Sequence, residues 1–104
     1  MSFPEIKKQS GNIILGAFVT AKPGKAEECK KLLLDIRDLA VSDKEPNTLT
    51  YRVTQSEEND HVFLIFEEYV LPDGVKRHAE AEPFQALMRS GVVEKAEIKF
   101  YVEQ

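Results

Sequence analysis

The sequence has no tryptophan, one cysteine and two histidines. A single cysteine, Cys29, rules out an intrachain disulfide and fits a reducing compartment. The histidines, His61 and His78, form no His-x3-His pair, and no Cys-x2-Cys spacing accompanies them, so no metal-ligand pattern is present. Five glycines are spread without a phosphate-binding loop or a dinucleotide fingerprint, and no serine-nucleophile motif occurs. No apolar run approaches the roughly 20 residues of a membrane span. Residues 1–9 carry two lysines and a glutamate and lack the apolar core of a secretory signal. Positive charge is also short: 14 Lys and Arg stand against 18 Asp and Glu. A net charge of −4 suits a phosphate backbone poorly. Together these absences point to a cytoplasmic protein that binds no nucleic acid, membrane or metal and carries no motif-bound cofactor.

What remains is a chain of 104 residues, 42% apolar, enough for one domain with a modest core. Residues 1–11 read as a flexible N-terminal arm and 12–104 as a single domain. Asn12 to Thr20 is β-branched and aromatic, a first strand, broken by Lys22-Pro23-Gly24-Lys25. Ala26, Cys29, Leu33, Ile36 and Ala40 then recur at helical spacing, with charged residues on the other face. Thr48 to Gln55 alternates, with Leu49, Tyr51 and Val53 expected on the buried side. His61 to Tyr69 is a third strand and Val75 to Ala81 a helix. Pro83 opens a further helical piece that Gly91 ends, and Glu94 to Val102 is a last strand. The order β-α-β-β-α-β predicts an α+β, ferredoxin-like fold: a four-stranded antiparallel sheet with its helices on one face.

Val62 to Phe66 is apolar at every position. Alternate strand side chains point to opposite faces, so both faces need cover. The helices cover one, and a second copy of the chain is the economical cover for the other. A small exposed patch, or a loop folded under the sheet, would also account for the pattern.

Three local patterns resemble the antibiotic biosynthesis monooxygenase (ABM) family of dimeric α+β barrels. Lys22-Pro23-Gly24-Lys25 leads from the first strand into the amphipathic helix. A Glu-Pro-Gly-like turn precedes a small residue, Leu, one residue and Tyr, here Glu45-Pro46-Asn47-Thr48-Leu49-Thr50-Tyr51. Glu67 and Tyr69 are followed by His78 nine residues beyond the tyrosine and by Phe84 six further on. Asn47 stands where glycine is usual and Ala81 where a hydroxyl residue usually follows the histidine. The resemblance implies a homodimer and an oxidoreductase: a cofactor-independent monooxygenase oxidising a small aromatic, phenolic or quinol substrate with O2. It also admits a non-catalytic small-molecule-binding or stress-associated dimer, and an isomerase of a small metabolite. The haem-degrading branch is similar in its use of a buried tryptophan, a first-strand asparagine and a second-helix histidine, of which only the histidine has a match here, His78. This chain has no tryptophan, and Ile13 to Thr20 has no asparagine.

On this resemblance His78 is the candidate general base, since imidazole titrates near neutrality. Tyr69 would hydrogen-bond a substrate oxygen, and Glu67 would orient His78 or a substrate hydroxyl. Tyr51, Phe63 and Phe84 would bind substrate. Each has a plainer explanation. His78 could be an exposed helix residue beside Lys76 and Arg77, and Glu67 and Tyr69 could lie at a wet strand end. Tyr51, Phe63 and Phe84 could be ordinary core. Cys29, amid Ala26, Leu32 and Leu33, should be buried and inert.

Overall fold

Four strands and three helices succeed one another as β1 (Gly11–Ala21), α1 (Ala26–Ala40), β2 (Thr48–Gln55), β3 (Val62–Leu71), α2 (Gly74–Glu80), α3 (Glu82–Ser90) and β4 (Val93–Tyr101). They are taken from a computed structural model that describes residues 3–104. The strands form one antiparallel sheet in the order β2-β3-β1-β4, the ferredoxin-like arrangement. The second helical layer is divided. Ala81 adopts extended backbone between α2 and α3, and Pro83 lies in the first turn of α3, where its missing N–H costs nothing. Gly91 ends α3 at φ 73°, a left-handed cap that glycine takes without strain.

Burial follows the period of each element. Ile13, Leu15, Ala17, Val19 and Ala21 of β1 face the helices, as do Phe63, Ile65, Glu67, Tyr69 and Leu71 of β3. Ala26, Cys29, Leu33, Ile36 and Ala40 of α1 pack onto them. Cys29 is fully buried, and burial pushes its thiol pKa up, which favours the inert form. In β2 the alternation fails at Leu49, which is exposed and not on the buried side. The β2–β3 register shifts between Thr48 and Thr50, so Leu49 falls at an irregularity of the ladder.

The opposite sheet face is bare. Phe18 pairs with Leu64 and Gly16 with Phe66, and Phe18, Leu64, Phe66 and Tyr101 are each at least 40% exposed. Of the expected N-terminal arm, residues 1 and 2 lie outside the described part. Residues 3–10 form no helix or strand, but Phe3 and Ile6 pack against the core, and Phe3 stacks on Phe84 with centroids 5.9 Å apart.

Gly74 is the tightest point beside the site. A Cβ there would lie 2.9 Å from the Asn47 carbonyl oxygen and 3.0 Å from Tyr69 Cβ. Its lack of a side chain lets the start of α2 rest on β3 and on the turn before β2.

Candidate active site

α2 is a short helix with one inward face. Val75 and His78, one turn apart, are buried, whereas Lys76 and Arg77 are exposed. His78 is only 3% exposed and therefore does not share the solvent with its basic neighbours. Three rings surround the imidazole: Tyr51 at 5.2 Å, Tyr69 at 5.3 Å and Phe84 at 5.8 Å between centroids.

Each nitrogen of His78 faces a different carboxylate. Nδ1 lies 3.0 Å from Glu45 Oε1, and Nε2 lies 3.9 Å from Glu67 Oε1, beyond hydrogen-bond reach. Thr48 Oγ1 also donates to Glu45 Oε1, at 2.9 Å. Burial pushes the Glu45 carboxyl up. The hydrogen bond and charge of His78, with smaller help from Thr48 and Arg77, outweigh that and hold it below its usual range. An ionised carboxylate only accepts, so the Nδ1 facing Glu45 carries a hydrogen, and Nε2 is the nitrogen on the Glu67 side.

Glu67 and Tyr69 lie two residues apart on the buried face of β3, and the Tyr69 hydroxyl donates to Glu67 Oε1. Burial raises Glu67 to about 7. His78 and the Tyr69 hydrogen bond pull it down, and the charge of Glu45 pushes it further up. Burial and the nearby Glu67 also push the phenols of Tyr51 and Tyr69 above their usual range, so both stay protonated donors. The two carboxylates address opposite sides of one imidazole and do not converge on a common point. Among the described residues no group of three His, Cys, Asp or Glu is arranged to hold a metal ion.

A cavity between sheet and helices brings these groups together. Glu67, His78, Tyr51, Phe84 and Phe3 line it with apolar residues of the sheet and the helices. Its volume is about 20 Å³, room for a water molecule. Tyr69 and Phe63 are fully buried and form no part of its wall: Tyr69 stands behind Glu67, and Phe63 belongs to the core. His61, the other histidine, bonds Asp60 in the β2–β3 turn and does not line this cavity.

Two site residues escaped the sequence reading. Glu45 lies inside the Glu-Pro-Asn turn, where the only local signal is a carboxylate three residues before a threonine hydroxyl. Phe3 carried no signal: a lone aromatic in a polar arm gives no periodicity.

A sequence profile described as antibiotic biosynthesis monooxygenase matches residues 12–90. No protein of the curated set matches the chain. Among solved structures, the crystal structure of PA3566 from Pseudomonas aeruginosa is similar with a TM-score of 0.84 and 23% identity over 93% of this chain and 98% of that one. A candidate antibiotic biosynthesis monooxygenase from Caulobacter crescentus CB15 has a TM-score of 0.76 and 28% identity, over 90% and 92% of the two chains. A conserved protein from Methanosarcina mazei Go1 has a TM-score of 0.76 and 24% identity, over 89% and 93%.

Proposed function

Because this chain belongs to the antibiotic biosynthesis monooxygenase family, we propose that its cavity oxidises a small phenolic or quinol substrate with O2, using neither a metal nor an organic cofactor. The observation that carries the reading is the setting of His78. Its Nδ1 is tied to a buried, ionised carboxylate, its Nε2 lies 3.9 Å from Glu67, beyond hydrogen-bond reach, and His78 and Glu67 line one cavity with Tyr51 and Phe84.

In this reading Nε2 takes the proton of the substrate hydroxyl, and the Glu45 carboxylate steadies the imidazolium that results. The aromatic anion is the electron donor that O2 requires. Glu67, at about 7, is partly protonated near neutrality and returns a proton to the departing oxygen. With a hydroquinone, one oxygen atom enters the ring. The other leaves as water with the two hydrogens that the substrate gives up. The apolar wall keeps bulk water from the anion. Tyr69 acts through Glu67, and Tyr51 and Phe84 hold the ring. The bare outer sheet face, with Phe18, Leu64, Phe66 and Tyr101, is assigned to a second copy of the chain. The lone buried thiol accords with a cytoplasmic setting.

Oxygen uptake with a panel of hydroquinones and anthrones tests the reading. A second reading is a non-catalytic small-molecule-binding dimer that keeps the same cavity and bare sheet face without the chemistry. Thermal stabilisation by the same compounds without oxygen uptake would support that one. Turnover of a small metabolite without oxygen uptake would mark an isomerase.

A further inference from the structure

The pocket is small for the substrate class proposed. Its volume is about 20 Å³, whereas an apolar cavity that takes up benzene measures about 150 Å³. The space an aromatic ring would need is partly filled by the chain itself. The half-buried ring of Phe3 lines the cavity and is stacked on Phe84, with centroids 5.9 Å apart and planes 26° from parallel. That is an offset arrangement favoured by aromatic pairs. Phe84 in turn lies 5.8 Å from His78.

Phe3 also borders an outer groove with Ile6, Ala79 and Gln85, and it shares only Val75 with both spaces. It therefore stands between the cavity and the surface. The arm that carries it is loosely held. Among the described residues, none of 3–10 takes part in a backbone hydrogen bond of the turns and loops; the arm is held by Lys8 Nζ, which donates to the Asn12 carbonyl at 3.0 Å, and in the core by the side chains of Phe3 and Ile6. A segment with so few buried contacts opens at low cost. Phe3 also lies outside residues 12–90, which match the family profile.

We propose that Phe3 is a resident occupant of the aromatic site, and that a planar single-ring ligand takes its place against Phe84 while the arm swings out. The exchange replaces one ring stack by another, so the arm limits admission to ligands that stack at least as well as Phe3. Phe3 is then the residue that fixes the size and class of ring admitted. This rests on the pocket being the substrate site, as proposed above, but it concerns binding alone and is tested without turnover.

Phenol is the probe. Calorimetry should give Phe3→Ala about tenfold tighter binding than the wild type, because the competing ring is gone and the competent form is fully populated. In Phe3→Trp, the chain's single indole should emit as a buried group and shift to solvent-exposed emission as phenol is added. Equal affinity of wild type and Phe3→Ala, with an indole that stays buried, would overturn the proposal. Weaker binding by Phe3→Ala would also overturn it, making Phe3 a fixed wall. So would failure of Phe3→Ala to bind phenol. Phenol binding with arm displacement but no oxygen uptake on any quinol would leave this inference standing and defeat the oxygenase reading. Oxygen uptake with an immobile indole would do the reverse.

Discussion

His78 and Glu45 are 33 residues apart in the chain and 3.0 Å apart in space, Nδ1 to Oε1. The contact joins α2 to the turn that precedes β2, and both partners are buried. Since Glu45 is held ionised, the contact also places a hydrogen on Nδ1 and turns Nε2 to the Glu67 side. A turn residue thereby sets the protonation geometry of a helix residue.

Replacing Glu45 by alanine should leave the buried His78 Nδ1–H and the half-buried Thr48 hydroxyl without their acceptor. We expect a loss of roughly 1–3 kcal/mol in urea unfolding, the cost of an unsatisfied buried polar group. Glu45→Gln keeps an oxygen at the same place and should lose less. Equal stability of wild type and Glu45→Ala would mean that this contact contributes nothing to the fold.

Gly74→Ala should destabilise by about 1–3 kcal/mol, because the added methyl meets the Asn47 carbonyl oxygen at 2.9 Å and backbone must move. The displaced element is α2, which carries His78, so activity should fall with stability. Unfolding and turnover measured on the same preparation check this. An unchanged midpoint would show that the start of α2 has more room than these contacts allow.

The element order and the helical layer are legible in the sequence because apolar residues recur with clean periods, and that order carries the ferredoxin-like arrangement. β1, α1 and β3 bury the faces that alternation and helical spacing assign to them. Leu49 was misassigned because a ladder irregularity leaves no mark on an alternating pattern. His78 could be named as a candidate, but its burial could not be read from a helix segment flanked by Lys76 and Arg77. Its tie to Glu45 is a contact across 33 residues, which no local pattern encodes. The roles expected of Glu67 and Tyr69 shift for a related reason. Their shared strand face was legible, but only packing decides that Tyr69 bonds Glu67 and stands behind it.

Glu67 should make stability depend on pH in a defined window. Its carboxyl is raised by burial from 4.5 to about 7, so the folded chain holds a proton that the unfolded chain has released between those values. Stability should therefore fall as pH rises through this window, by up to about 1.4 kcal/mol per unit, and level off above it. Glu45, held below 4.5, acts in the opposite sense and only at lower pH. Glu67→Gln should flatten the slope between 4.5 and 7. Tyr69→Phe removes a hydrogen bond that favours the charged form and should move the upper end of the window above 7. Parallel profiles in wild type and Glu67→Gln would show that Glu67 does not titrate there.

The bare sheet face gives a prediction about assembly. Phe66→Lys places a charge at the centre of the apolar patch beside Gly16 and Leu64, and should convert a dimer to monomer in sedimentation at micromolar concentration. A wild-type chain that sediments as a stable monomer would contradict the assignment of that face to a second copy.

The most direct test of the proposed chemistry is oxygen uptake with a hydroquinone substrate, measured for wild type and for His78→Ala. If Nε2 of His78 takes the substrate proton, the wild type should consume oxygen in step with the quinol, and His78→Ala should be slower in kcat by roughly 10²–10⁴-fold, the usual worth of positioned proton transfer. Undiminished uptake by His78→Ala, with the fold intact, would contradict the account, because the pocket would then be enclosing a substrate that ionises without the imidazole.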